Sequence, residues 1–126
     1  MSNKTAKSTK RFQRTNEESM GSLLAYVNAG YAELVDVFGK PNSKGDGYKV
    51  STEWVLVDTK TGQVFRIYDY KDTALYDKTQ PSVAKFRRQA SFDWHIGGEK
   101  RLDMRALQEF LSAEIERPVN VRNWLF

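Results

Sequence analysis

His95 is the single histidine of the chain, and Asp93 stands two residues before it. On a β-strand, residues two apart share a face, so an Asp–His hydrogen bond is geometrically open. Such a pair orients an imidazole for proton transfer, but it needs a nucleophile to act on. No Gly-x-Ser-x-Gly elbow and no cysteine is present. Metal binding by His95, Asp93 and Glu99 would require carboxylates from separate places to converge. The simpler reading is a structural or surface histidine, with no catalytic residue, no metal and no cofactor.

Glycine offers a second kind of chemistry. Gly45-Asp46-Gly47 and Gly97-Gly98 could present backbone N–H groups to a phosphate, and Gly97, Gly98, Lys100 and Arg101 precede a predicted helix start, where anions are favoured. Neither stretch fits Gly-x-Gly-x-x-Gly or a P-loop. Tight turns are the competing use, because glycine reaches backbone angles other residues avoid.

Positive charge is unevenly distributed. Residues 1–14 hold Lys4, Lys7, Lys10, Arg11 and Arg14 and no acid, leaving 15 Lys and Arg against 16 Asp and Glu in residues 15–126. The net +4 of the chain is therefore a property of its first residues. A flexible basic arm can neutralise phosphates without a shaped site. It can equally strap a neighbouring protein subunit, or merely aid solubility. Lys85, Arg87 and Arg88 form a second basic cluster able to join the same contact. Trp54, Tyr68, Tyr70, Phe92 and Trp94 could stack on bases if they lay on an open sheet. Core packing is the alternative for most of them, with Tyr68 and Tyr70 alternating against Phe65 and Ile67.

The composition bounds these options. A chain of 126 residues is one domain, and 40% hydrophobic residues suffice for one modest core. Seven Phe, six Tyr and three Trp supply much of its volume. The absence of cysteine excludes disulfides and thiolate sites. No apolar run is long enough to span a bilayer, and no secretory signal is expected.

The elements follow from periodicity. Residues 1–14 are predicted to be a flexible arm, since Phe12 is their one aromatic. Thr15 and Glu18 have capping-box spacing, and Met20, Leu23, Leu24 and Val27 fall on one helical face, so a helix is predicted there. A second helix, carrying Tyr31, Leu34, Val35 and Phe38, stops at Gly39-Lys40-Pro41. Strands are predicted over 48–57 and 63–71, joined by the Asp58–Gly62 hairpin loop, with a third over Ser91–Ile96. Residues 72–90 are predicted to be a long irregular loop. A helix from about Leu102 or Asp103 to Glu116 and a short C-terminal strand complete the chain. The sum is α+β: an antiparallel three- to four-stranded meander covered by N-terminal and C-terminal helices. Trp124-Leu125-Phe126 would dock on this domain or on a second copy, making a homo-oligomer.

The helix ending in Phe38-Gly39-Lys40-Pro41, the Gly45-Asp46-Gly47-Tyr48-Lys49 loop, the Glu53-Trp54 strand, the Ile67-Tyr68-Asp69-Tyr70-Lys71 strand and the Trp94-His95-Ile96-Gly97-Gly98 motif together resemble a family of small proteins of tailed bacteriophages and large DNA viruses. The resemblance covers about residues 31–112 and brings no established activity. The helix–Gly-x-Pro–meander order also looks like outer-membrane assembly lipoproteins and lactamase-inhibitor repeats, in architecture only.

The expectation is a non-enzymatic viral binding or structural protein, in the host cytoplasm or the virion and without a membrane. Its basic N-terminal arm would contact nucleic acid or other virus components. The alternative is a phage inhibitor that blocks a host defence protein, with 72–90 as its contact surface, or that sequesters a nucleotide signal.

Overall fold

A computed structural model describes residues 10–19 and 21–124. The chain is α+β, with six strands in one antiparallel sheet and three helices among the described residues. The strands are β1 (Phe12–Arg14), β2 (Ser22–Ala29), β3 (Glu53–Asp58), β4 (Val64–Tyr68), β5 (Phe92–Gly98) and β6 (Val121–Asn123), in the order β1-β3-β4-β5-β2-β6. Helices α1 (Tyr31–Phe38), α2 (Val83–Arg87) and α3 (Met104–Ile115) pack on the same face.

The predicted meander is present as β3-β4-β5, but it is the middle of a larger sheet. The first correction concerns the predicted helix over residues 15–27. Its apolar stretch is β2, paired with β5 on one side and β6 on the other. Ala25, Val27 and Ala29 alternate with Tyr26 and Asn28, a period of two. A register shift between Leu23 and Ala25 inserts Leu24, so Leu24 and Ala25 are both buried. That extra residue gave the stretch its helical spacing. Thr15 caps no helix either: its N–H donates to the Val55 carbonyl at 3.0 Å, and its hydroxyl accepts from Glu17 N–H.

The second correction concerns the flexible arm and its boundary at residue 14. Residues 12–14 are edge strand β1, paired with β3. Phe12 is fully buried, with its ring edge-on to Phe65 at 5.9 Å and to Phe110 of α3 at 5.2 Å. Arg11 donates two hydrogen bonds, 2.8 and 2.9 Å, to the buried carboxylate of Asp58. One aromatic and one bidentate ion pair thus fix a segment whose composition suggested a tail.

Elsewhere the periodicities locate α1, β4, β5 and α3, but β3 begins only at Glu53, and residues 48–52 of the predicted 48–57 strand are irregular. Trp54, Leu56, Phe65, Ile67, Trp94 and Ile96 form the core beneath the helices. The indoles of Trp54 and Trp94 donate to the carbonyls of Gly39 and Ala29, which bracket α1 at its two ends. Gly39 closes α1 at φ 89°, a conformation open to glycine, with Pro41 just beyond. Asp103 caps α3 by accepting from Ala106 N–H at 3.0 Å. The 72–90 segment is more ordered than a plain loop, since Ser82 caps α2 and Phe86 is buried against Phe92 and Trp94. Among the described residues no helix is long and apolar enough to cross a membrane.

The carboxylates of Asp58 and Glu33 sit below their usual range. Hydrogen bonds from Arg11 and Arg117 respectively are the chief causes. A lowered folded value stabilises the fold above the unfolded-state value near pH 4, and this support is lost as pH falls through the folded one. Asp72, raised by burial, runs the other way. Urea midpoints measured from pH 7 to pH 2 should therefore fall on the acid side of about pH 4. Arg11→Met should flatten that fall by removing its share.

Candidate partner-binding surface

The face of the sheet opposite the helices carries a straight row across five strands. Register places Glu53, Tyr68, His95, Tyr26 and Arg122 side by side, from β3 through β4, β5 and β2 to β6. His95 lies at its centre, with Tyr26, Tyr68 and Tyr70 at 5.0, 5.4 and 5.8 Å between ring centroids. Arg66 lies over Tyr68 at 4.3 Å and Arg122 over Tyr26 at 4.5 Å. Gly97 makes the first of these possible: a Cβ there would stand 3.0 Å from the Arg66 guanidinium and 3.1 Å from the Tyr68 ring.

Asp93 and His95 share this face as expected, but they do not form a dyad. Asp93 accepts from the Asn28 amide at 2.9 Å and lies 3.5 Å from Arg122. The His95 Nδ1 is buried and has no hydrogen-bond partner among the described residues. Burial is the main cause that holds this imidazole below its ordinary value, with Asp72 and Asp69 opposing. The folded state therefore favours the neutral ring, and stability falls as pH drops through the unfolded value of about 6.5. The expected result is a lower urea midpoint at pH 5 than at pH 7, and His95→Gln should remove that difference.

Tyr70 joins the row to a second aromatic group. Tyr48 and Tyr76 stand 5.1 Å apart, and the Lys71 ammonium lies 5.2 Å from Tyr70 and 5.0 Å from Tyr76. Among the described residues, Tyr48, Tyr70, Leu75 and Tyr76 are four of the five large hydrophobic residues that are exposed, at 51%, 39%, 45% and 36%. The loop that carries three of them is held by its own bonds. Asp72 accepts from Tyr70 N–H at 3.0 Å, Asp77 accepts from Thr79 N–H at 2.9 Å, and Ala74 N–H donates to the Pro81 carbonyl at 2.8 Å. The charges along the row are mostly paired, Arg66 with Glu53 at 3.2 Å and Arg122 with Asp93 at 3.5 Å.

The basic residues singled out earlier are scattered. Lys4 and Lys7 lie outside the described residues. Lys10 pairs with Glu114 at 2.7 Å, Arg11 with Asp58, and Arg14 donates to the Lys40 carbonyl at 3.1 Å. Arg87 donates to the Thr52 hydroxyl and lies 4.8 Å from the Tyr31 ring, while Lys85 and Arg88 point to solvent. Gly97 and Gly98 build no phosphate cradle, which corrects the proposed anion site. Both are inside β5, flanked by ladder partners on each side: Arg66 and Leu23 for Gly97, Phe65 and Ser22 for Gly98. Arg101 pairs with Glu99 at 3.2 Å. Lys100 lies at an apolar groove of about 520 Å³ with Leu23, Leu24, Met104 and half-exposed Trp124. Leu125 and Phe126 lie outside the described residues. Gly45-Asp46-Gly47 is a turn: Asp46 accepts from Tyr48 and Val50 N–H groups, and both glycines have positive φ.

Trp54 and Trp94 belong to the core, and Phe92 packs against it half-buried. Tyr26, Tyr48, Tyr76, Arg66 and Arg122 were not among the residues the sequence singled out. The signal for Tyr26 was available, since it alternates with Ala25 and Val27, but it is visible only once the segment is taken as a strand.

No protein-family model matches this chain, and no curated protein matches it.

Proposed function

We propose that this chain is a non-enzymatic binding protein that docks a protein partner on its tyrosine-rich surface. The observation that carries this reading is the exposed cluster Tyr48, Tyr70, Leu75 and Tyr76, continuous through Tyr70 with the His95 row. Tyrosine and arginine are enriched where binding energy concentrates, because they bury large rigid areas at small entropic cost. The paired charges of the row favour a protein over a phosphate backbone, which rewards unneutralised cations. The basic arm carries less of the argument than the sequence suggested, because Lys10, Arg11 and Arg14 are engaged within the body. The resemblance to phage and large-virus proteins supports a viral role, with a host or virus protein as partner. An inhibitor acting through the 72–90 segment fits this surface better than an arm-led contact does.

The experiment is recovery of partners from infected cells with wild type and with Tyr70→Ser/Tyr76→Ser, each with and without nuclease. Nuclease-resistant recovery should drop at least about 30-fold in the variant, the loss expected for a centre worth 2 kcal/mol or more. Tyr70 and Tyr76 also pack on His95 and Tyr48, so a small drop in melting temperature is expected, with the variant still folded at the assay temperature. Recovery that nuclease abolishes, or that the variant retains, would overturn the proposal.

A further inference from the structure

We infer that the cleft between the Gly-Lys-Pro turn after α1 and helix α2 is a binding site for a phosphate-bearing ligand with a planar ring, a nucleoside phosphate in chemical class. The cleft is open to solvent and offers about 370 Å³, within the range of small-molecule sites. Lys40, Lys44 and Arg87 line it together with Tyr31, Asn42 and Ser51, and no carboxylate among the described residues does.

The three cations differ in how they are held. Arg87 is fixed, its Nε and one terminal nitrogen donating to the Thr52 hydroxyl at 3.1 Å each while its guanidinium carbon lies over the Tyr31 ring, 4.8 Å from the centroid. Its other terminal nitrogen is uncommitted in the hydrogen bonds among the described residues. The Lys40 and Lys44 ammonium groups form no ion pair or hydrogen bond among the described residues, as holds for each described lysine but Lys10. Arg14 adds charge from behind the same turn, bound to the Lys40 carbonyl at 3.1 Å with its guanidinium against Gly39.

Neighbouring acids are already satisfied. Asp69 is fully buried and accepts from Ser51 N–H, Ser51 hydroxyl and Thr52 N–H, and Glu53 takes the Ser43 hydroxyl and Arg66. A bound anion therefore meets a fixed guanidinium and two exposed ammonium groups, a combination suited to phosphate oxygens. Half-buried Tyr31, whose ring face is taken by Arg87, and Pro41 supply the apolar side of the cleft, against which a base or similar ring would lie. This site is independent of the tyrosine surface and of the rejected Gly97-Gly98 cradle.

Titration of the full chain with AMP, with inorganic phosphate and with a ten-residue oligothymidylate, at low and at physiological salt, tests the inference. AMP should bind more tightly than inorganic phosphate and weaken as salt rises. Lys40→Gln/Lys44→Gln should lose at least tenfold in affinity with an unchanged melting temperature, since neither side chain has a partner to lose. Arg87→Lys, which keeps the charge but not the planar fork, should weaken binding as well. Binding of the oligonucleotide but not of AMP, with the same sensitivity to Lys40 and Lys44, supports the site and assigns its ligand to a strand. No binding of any probe at millimolar concentration, or binding that the double variant leaves intact, overturns it.

Discussion

Phe12→Ala should lower the free energy of unfolding by about 3–5 kcal/mol, the range for emptying a buried aromatic site. The ring is fully buried, and it touches both the sheet, through Phe65, and α3, through Phe110. Its two aromatic neighbours are held in place, because Phe65 is itself buried and Phe110 also stacks on Phe38 at 6.3 Å. Urea denaturation followed by tryptophan fluorescence gives the number. A loss below about 1 kcal/mol, the scale of an exposed position, would mean that β1 is not docked in solution. The outcome also governs how truncations are interpreted. Deleting residues 1–14 removes Phe12, Arg11 and the whole of β1 along with the positive charge. Loss of binding in that truncation would then report unfolding as readily as a missing arm. Charge-reversing substitutions confined to Lys4 and Lys7 avoid the confusion.

Asp69→Ala should cost about 2–5 kcal/mol. Its carboxylate is fully buried and accepts three hydrogen bonds of 2.7–2.8 Å, from Ser51 N–H, Thr52 N–H and the Ser51 hydroxyl. These bonds tie the end of β4 to the segment that enters β3, where Asp69 N–H also donates to the Thr52 carbonyl at 3.3 Å. Removing the acceptor strands two backbone donors, each costing about 1–3 kcal/mol when left unmade in the interior. Asp69→Asn should cost less, since its amide oxygen keeps an acceptor in place. Thermal and urea midpoints for the two variants decide the order. A smaller loss for alanine than for asparagine would show that water replaces the carboxylate. Because Thr52 also holds Arg87, Asp69→Ala should in addition weaken ligand binding in the cationic cleft.

How much of this was legible in the chain depends on where the information sits. Phe65 and Ile67 alternate with Val64, Arg66 and Tyr68, and that alternation alone assigns the two faces of β4. Gly39 and Pro41 mark the end of α1, because backbone angles are restricted by the local residue type. Asp103 and the Leu107–Leu111 spacing locate α3 for the same reason. β1 was not legible: three residues with one phenylalanine carry no periodicity, and their order comes from Asp58 and Phe110, distant in the chain. β2 was misread because one inserted residue turns a period of two into an apparent helical stripe.

The candidate sites divide in the same way. Arg87 stood out in a basic cluster, but that it shares a cleft with Lys40 and Lys44 was not visible, since α2 and the turn after α1 meet only in the folded chain. Local residue chemistry determined the α+β class, the end of α1, the start of α3 and the β3–β4 hairpin, because each depends on neighbours a few positions away. Tertiary structure decided the six-strand order, the burial of Phe12, the row through His95 and the grouping of unpaired cations. Each of these is a pairing between residues far apart in the chain. Such pairings are chosen by the burial and charge balance of the assembled molecule, and no local pattern encodes them.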